Sequence, residues 1–205
     1  LDGLMTCQRN VQGYNFVQEC IEPVLEELSQ ALPMEPNVDG AETKEFLFAQ
    51  YVINRKITGL ERPALLSAIA RNHLVDLFTV DESFSVPNLR NHGRVEPYEQ
   101  AQRVYKQSKI NLNITLRSIK SGIPLRCMDI MGSGGFLLTN FQSDFLDFFI
   151  PGEDFVYYEN TQDLLEKIAY YLGHDQEREM IAGNGHDKVA AGHTFRHRVA
   201  EMFDF

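Results

Sequence analysis

INLNITLRSIKSGIPLRCMDIMGSGGFLLT, residues 110–139, is the stretch whose reading decides the fold. Ile110, Leu112, Ile114 and Leu116 alternate with Asn111, Asn113 and Thr115, which is the period of a strand. Ile123–Met131 follows with helical spacing, and Gly135–Thr139 returns to a short apolar β run. Strand, loop, helix, turn and strand in this order make a βα unit feeding a parallel sheet.

The same alternation continues on both sides. Upstream, Leu74–Val80 reads as a strand, Arg94–Val95 as another very short one, and Pro97–Ser108 as a helix presenting Tyr98, Ala101, Tyr105 and Ser108. Downstream, Phe155–Tyr158 reads as a strand. Asn160 caps a helix running to Leu172 and closed by Gly173, with Asp163 in its first turn. Asp175 is expected to cap the next helix, and Thr194 to open a last one striped by Phe195, Val199, Met202 and Phe203. Ahead of His73 the texture is helical: Tyr14–Leu32, kinked or late-starting at Pro23, then about Thr43–Lys56, then a helix opening at Pro63. Met34–Glu42 reads as a linker loop. The organisation expected is a helical arm over residues 1–60 and an α/β domain over 61–205.

The chain has 205 residues, 43% apolar and 23% charged, an ordinary globular composition. Its 29 acids outnumber 19 bases for a net charge of −10, which argues against an indiscriminate nucleic-acid or anionic-membrane binder. Three cysteines, Cys7, Cys20 and Cys127, form no CxxC pair and point to a reducing, cytoplasmic setting. No apolar stretch approaches the ~18 residues of a membrane helix. The chain opens on Leu1 rather than Met, so residues ahead of it are expected.

In open parallel sheets, ligands bind beyond the carboxyl ends of the strands, near helix N-termini. That draws attention to the loops after Leu116 and Thr139 and before Asn160. The first carries Arg117, Lys120 and Arg126 with Ser118, Ser121 and Gly122, the cations, hydroxyls and free amides an anion site requires. An exposed polar loop with solvated cations accounts for it equally well. Gly132-Ser133-Gly134-Gly135 is either a point of close ligand approach or a helix cap turning into a strand; it is not a GxGxxG fingerprint. Arg126 and Asp129, three apart, share a helical face, as a plain ion pair or as a phosphate ligand beside a hydroxyl ligand. His193 and His197 have i, i+4 spacing without an HExxH glutamate, so capping or surface roles compete with metal ligation. No GxSxG elbow occurs.

From Arg62 onward the chain resembles the C-terminal lobe of GT-B-fold glycosyltransferases, most closely the spore-maturation (CgeB-like) branch of the bacterial-type glycosyl transferases group 1 clan. The resemblance rests on 108–113 (SKINLN), 121–126 (SGIPLR), 129–138 (DIMGSGGFLL), 151–158 and 193–198 (HTFRHR), in that order. It implies a Rossmann-like sheet flanked by helices that binds a nucleotide-diphosphosugar. The implied activity is hexosyltransferase-like, needing neither metal nor cofactor beyond the donor substrate, with an unknown acceptor and no nucleic-acid partner. Arg126 and Lys120 are expected to act on the leaving diphosphate. Asn113, Ser118, Ser121, Asp129, Gly134, Gly135 and Tyr158 are expected to hold the donor. Asp129 falls at the second acid of the clan's E-x7-E motif, while Ser121 stands where the first belongs. Residues 42–60 read as helix where the lobe normally opens with a strand. Two lobes of ~150 residues each are usual, so an N-terminal lobe is expected to be missing and this piece alone to be inactive. A non-enzymatic interaction module and a nucleotide-sugar epimerase using His92 are the competing readings.

Overall fold

A computed structural model describes residues 1–11 and 13–203. Helices fill the first third: α1 (Asp2–Arg9), α2 (Glu22–Ala31), α3 (Lys44–Leu47) and α4 (Asn54–Ala70), with a π-helical turn, Phe48–Ile53, between the last two. Strands and helices then alternate: β1 (Val75–Leu77), β2 (Leu89–Asn91), α5 (Gln100–Gln107), β3 (Asn111–Asn113), α6 (Leu125–Gly132) and β4 (Leu137–Asn140). A 3-10 turn, Ser143–Asp147, leads to β5 (Val156–Tyr158), α7 (Thr161–Gly173), α8 (Asp175–Gly192) and α9 (Phe195–Phe203). Every strand pairing is parallel: β1 with β2, and β3-β4-β5 with β4 central. This is the α/β arrangement with parallel sheets that the alternation implied, Rossmann-like as the resemblance implied, preceded by a helical region.

The chain divides into two compact units. The first comprises Leu1–Leu66 and Thr115–Lys120, and the second Ser67–Ile114 and the residues from Ser121 onward.

In the first unit, Met5, Val17, Ile21, Phe48, Ala49, Ile53 and Ile57 form the core. Pro23 lies in the first turn of α2, so the helix starts late and does not kink. Helix α1 lies within the helical arm expected over residues 1–60, ahead of the first individual helix expected there, Tyr14–Leu32. It is anchored by buried Gln8, whose Nε2 donates to the Tyr14 carbonyl (2.8 Å) and whose Oε1 accepts from Phe16 N–H (2.9 Å). Pro63 does not open a helix; it lies inside α4. The reason is the stripe Ile53, Ile57, Glu61 and Leu65, all buried, which runs straight past it. Packing along that stripe offsets the proline's cost of about 3 kcal/mol.

In the second unit the core is Cys127, Ile130, Met131, Leu137, Phe145, Phe149, Phe155 and Val189. The second strand lies at Leu89–Asn91, not at Arg94–Val95. It pairs Val75 with Leu89 and is entered through Asn88, whose φ of 63° asparagine tolerates. The polar side of β3 is buried: Asn111 and Asn113 are enclosed while Leu112 is half-exposed. Asn111 Nδ2 donates to the Tyr105 carbonyl (2.9 Å), and Asn113 Nδ2 to Thr139 Oγ1 on β4 (3.1 Å). Both faces of a parallel sheet are covered, so alternation there marks two kinds of interior and not inside against outside. Asn160 Oδ1 accepts from Asp163 N–H (2.9 Å), and Asp163 Oδ2 from Glu159 N–H (2.9 Å), a reciprocal cap for α7. His174, not Asp175, stands at the N-cap of α8; Asp175 is in its first turn. Gly185 lets α8 close on the loop before β5: a side chain there would overlap the Asp154 carbonyl oxygen and touch Met131.

Candidate functional site

The three strands β3, β4 and β5 end on Asn113, Asn140 and Tyr158. The loops that leave these ends are 114–124, 141–155 and 159–160, and helices α6 and α7 begin beyond the first and last of them. Helix α6 starts after Pro124, whose ψ of 135° holds it outside the helix. Arg126 occupies the first turn and is exposed; Asp129 follows one turn later on the same face. Asp129 is exposed as a residue, yet desolvation of its carboxyl holds it above the usual carboxylate range, and Arg126 opposes that shift without cancelling it. Asp144 and Asp175, by contrast, are held low, chiefly by the Gly122 N–H and the Arg178 guanidinium respectively. Carboxyls with perturbed ionisation beside a cation are enriched at functional sites, and structural ion pairs produce them too.

Gly122 is in the left-handed region (φ 85°), and its N–H donates to Asp144 Oδ2 at 2.5 Å. Ser121, beside it, is exposed. Ser118 and Lys120 belong to the first compact unit. There Lys120 Nζ donates to Gln18 Oε1 (3.0 Å), and Ser118 lies in the turn closed by the Ile119 N–H to the Leu116 carbonyl (2.9 Å).

Arg117, one of the loop's three cations, is committed elsewhere within the first unit. Its Nη2 and Nε grip both oxygens of Glu61 (2.5 and 2.9 Å), and its Nη1 donates to the Val11 carbonyl (2.8 Å). Both side chains are about nine-tenths buried, so this guanidinium is structural.

Gly134 and Gly135 lie at the other end of the sheet. Gly134 has φ 75° and donates to the Met131 carbonyl (2.8 Å), while Gly135 N–H donates to the Ile130 carbonyl (2.9 Å). These two bonds close α6 as a Schellman cap and turn the chain into the amino end of β4. Asn113 is 3% exposed and bonded within the sheet, and Tyr158 is 1% exposed. Of the residues singled out in the sequence, the fold brings Ser121, Arg126 and Asp129 to the α6 entrance. It sends Gly134 and Gly135 to the opposite edge and Asn113 and Tyr158 into the interior. Asp144 went unnoticed in the sequence; a Ser-Asp pair opening a short helical turn after β4 was its only signal.

The histidines are engaged. His193 Nδ1 lies 2.7 Å from Arg198 Nη2, its ring packs on Phe148 and Phe149, and burial, reinforced by Arg198, lowers its pKa. His197 Nδ1 meets Thr194 Oγ1 at 2.7 Å. His92 Nε2 meets Asp76 Oδ1 at 2.7 Å at the end of β2, and its ring stacks on Phe78. No three His, Cys, Asp or Glu side chains converge as a metal site among the described residues. The Cys127 thiol, enclosed in the core, is pushed up to about 12 by burial and is inert as a nucleophile. Among the described residues no helix is long and apolar enough to cross a membrane.

The sequence model of the family described as glycosyl transferase-like matches residues 55–204. A comparison with curated proteins finds no match.

Proposed function

Because the chain belongs to the glycosyl transferase-like family, we propose that its second compact unit is the donor lobe of a GT-B glycosyltransferase of the CgeB-like branch. The observation that carries this reading is helix α6, where Arg126 and Asp129, both exposed, share one face beyond the carboxyl end of β3, with the Asp129 carboxyl held above its usual range. A nucleotide-diphosphosugar fits that pair. Arg126 and the positive end of α6 meet the diphosphate, and Asp129 accepts hydrogen bonds from ribose hydroxyls.

In the reaction, the bond from the anomeric carbon to the diphosphate oxygen breaks and a bond to an acceptor hydroxyl forms. The acceptor's proton passes to a base, and the departing diphosphate keeps the electron pair. Arg126 stabilises the charge that grows on the leaving oxygens, which is electrostatic catalysis and needs no group to be reorganised at the moment of reaction. The acceptor and its base belong to a further lobe, so this unit binds donor without turning it over. A reducing, cytoplasmic setting is part of this reading, and the three free thiols, Cys7, Cys20 and Cys127, suit it.

The test is ligand-detected NMR with UDP, GDP, ADP and dTDP, repeated on Arg126→Ala and Asp129→Ala. Binding of one diphosphate by the parent, lost in both variants, is the expected result. Silence across the panel at millimolar concentration overturns the reading and leaves a non-enzymatic module.

A further inference from the structure

In the loop between β3 and α6, the backbone donor at Gly122 is already taken. Gly122, at φ 85°, points its N–H at Asp144 Oδ2 (2.5 Å), and Ser143 Oγ lies 3.0 Å from the other carboxylate oxygen. Gly122 is on the loop leaving β3, and Asp144 opens the 3-10 turn leaving β4. The contact therefore ties together the exits of two adjacent strands on the ligand-binding side of the sheet. The loop favours a negative charge at this spot: the Gly122 N–H is the main reason that the Asp144 carboxyl stays low. A phosphate oxygen and a carboxylate oxygen are equivalent acceptors for one N–H but cannot share it, because two anions on one amide repel.

We infer that Asp144 is an internal anion that occupies the Gly122 amide until the diphosphate of the donor displaces it. This rests on the donor-binding reading above. It makes the 141–147 segment responsive to the ligand: a bound diphosphate takes the amide, and the turn carrying Asp144 is released from the β3–α6 loop. Removing the carboxylate removes both a competitor and a like charge.

The experiment titrates the four nucleoside diphosphates, and the matching uncharged nucleosides, into the parent, Asp144→Asn and Asp144→Ala. Asn keeps the size of the side chain and an oxygen for Gly122, but not the charge. The diphosphate bound by the parent is expected to bind Asp144→Ala roughly tenfold more tightly and Asp144→Asn several-fold more tightly, with nucleoside affinity unchanged. A structural latch gives the reverse pattern, Asp144→Asn like the parent and Asp144→Ala weaker for diphosphate and nucleoside alike, and overturns the inference. Where the parent binds a diphosphate and neither variant improves on it, this inference falls and the donor-lobe reading stands. Where no form binds any diphosphate, both fall.

Discussion

Replacing Gly135 by alanine separates a packing role from a ligand role at the glycine pair. An ideal Cβ at Gly135 would lie 2.7 Å from Asn111 Nδ2, 2.7 Å from the Tyr105 carbonyl and 3.1 Å from the Ile130 carbonyl. Two of those atoms are the partners of the 2.9 Å bond that fastens β3 to the end of α5. The methyl group must break that bond or shift the cap of α6. Leaving the buried amide and carbonyl unsatisfied costs about 1–3 kcal/mol, and overpacking adds a similar amount. A loss of about 3 kcal/mol lowers Tm by about 6–12 °C in a chain of this size. Gly134 is the internal control. A Cβ there meets nothing within 4 Å, and only the φ of 75° is strained. Gly134→Ala is expected to cost about 1 kcal/mol, or about 2–4 °C. Calorimetry of the two variants beside the parent decides it. Equal shifts, or a Gly135→Ala Tm within about 2 °C of the parent, refute the packing argument. Nucleoside diphosphate affinity lost at unchanged Tm would restore the ligand role.

Arg117→Met strands the Glu61 carboxylate in the first unit and is expected to cost about 3–5 kcal/mol, with Glu61→Leu added on top recovering much of it; denaturant midpoints for the single and double variants measure both effects. Asp129 carries a folded-state pKa above the unfolded value of about 3.9, so its ionised form destabilises the fold increasingly as pH rises through that window. Asp129→Asn should therefore melt with the parent near pH 3.5 and above it at pH 7, and a Tm gap that shrinks with rising pH contradicts the assignment. His193 has a lowered folded-state pKa, so the stability it contributes is lost as pH falls below about 6.5. His193→Gln is expected to flatten the Tm profile between pH 7.5 and 5.5, and melts recorded across that range check it.

Much of the second unit was legible because its signals are local. The alternation at 110–116, the cap at Asn160 and Asp163 and the glycine closing α7 each act within a few residues of where they are read. The failures share a different cause. Proline favours the first helical turn, which makes Pro63 look like a helix start, yet the buried stripe from Ile53 to Leu65 is a tertiary fact that overrides it. The strand Leu89–Asn91 is three residues long with two of them polar, too little for any period to show. Buried Gln8, which organises the turn after α1, looks from the sequence like any exposed glutamine.

The candidate site sorts by the same distinction. Arg117, Lys120 and Arg126 are three cations within ten residues, and composition treats them alike. Their fates differ because the chain between them passes from one compact unit to the other. Arg117 is paired with Glu61 and enclosed, whereas Arg126 lies in the first turn of α6 and is exposed. The sheet's polarity then does for the glycines what enclosure does for Arg117. Helix α6 runs from the carboxyl end of β3 to the amino end of β4, so residues at its start lie on the side of the proposed donor site and residues at its close on the opposite side. Arg126 and Asp129 fall on the first and Gly134 and Gly135 on the second, within one short helix. Arg126→Ala, at the exposed start of α6, should therefore change binding at constant Tm, and mutations at its close should change Tm at constant binding.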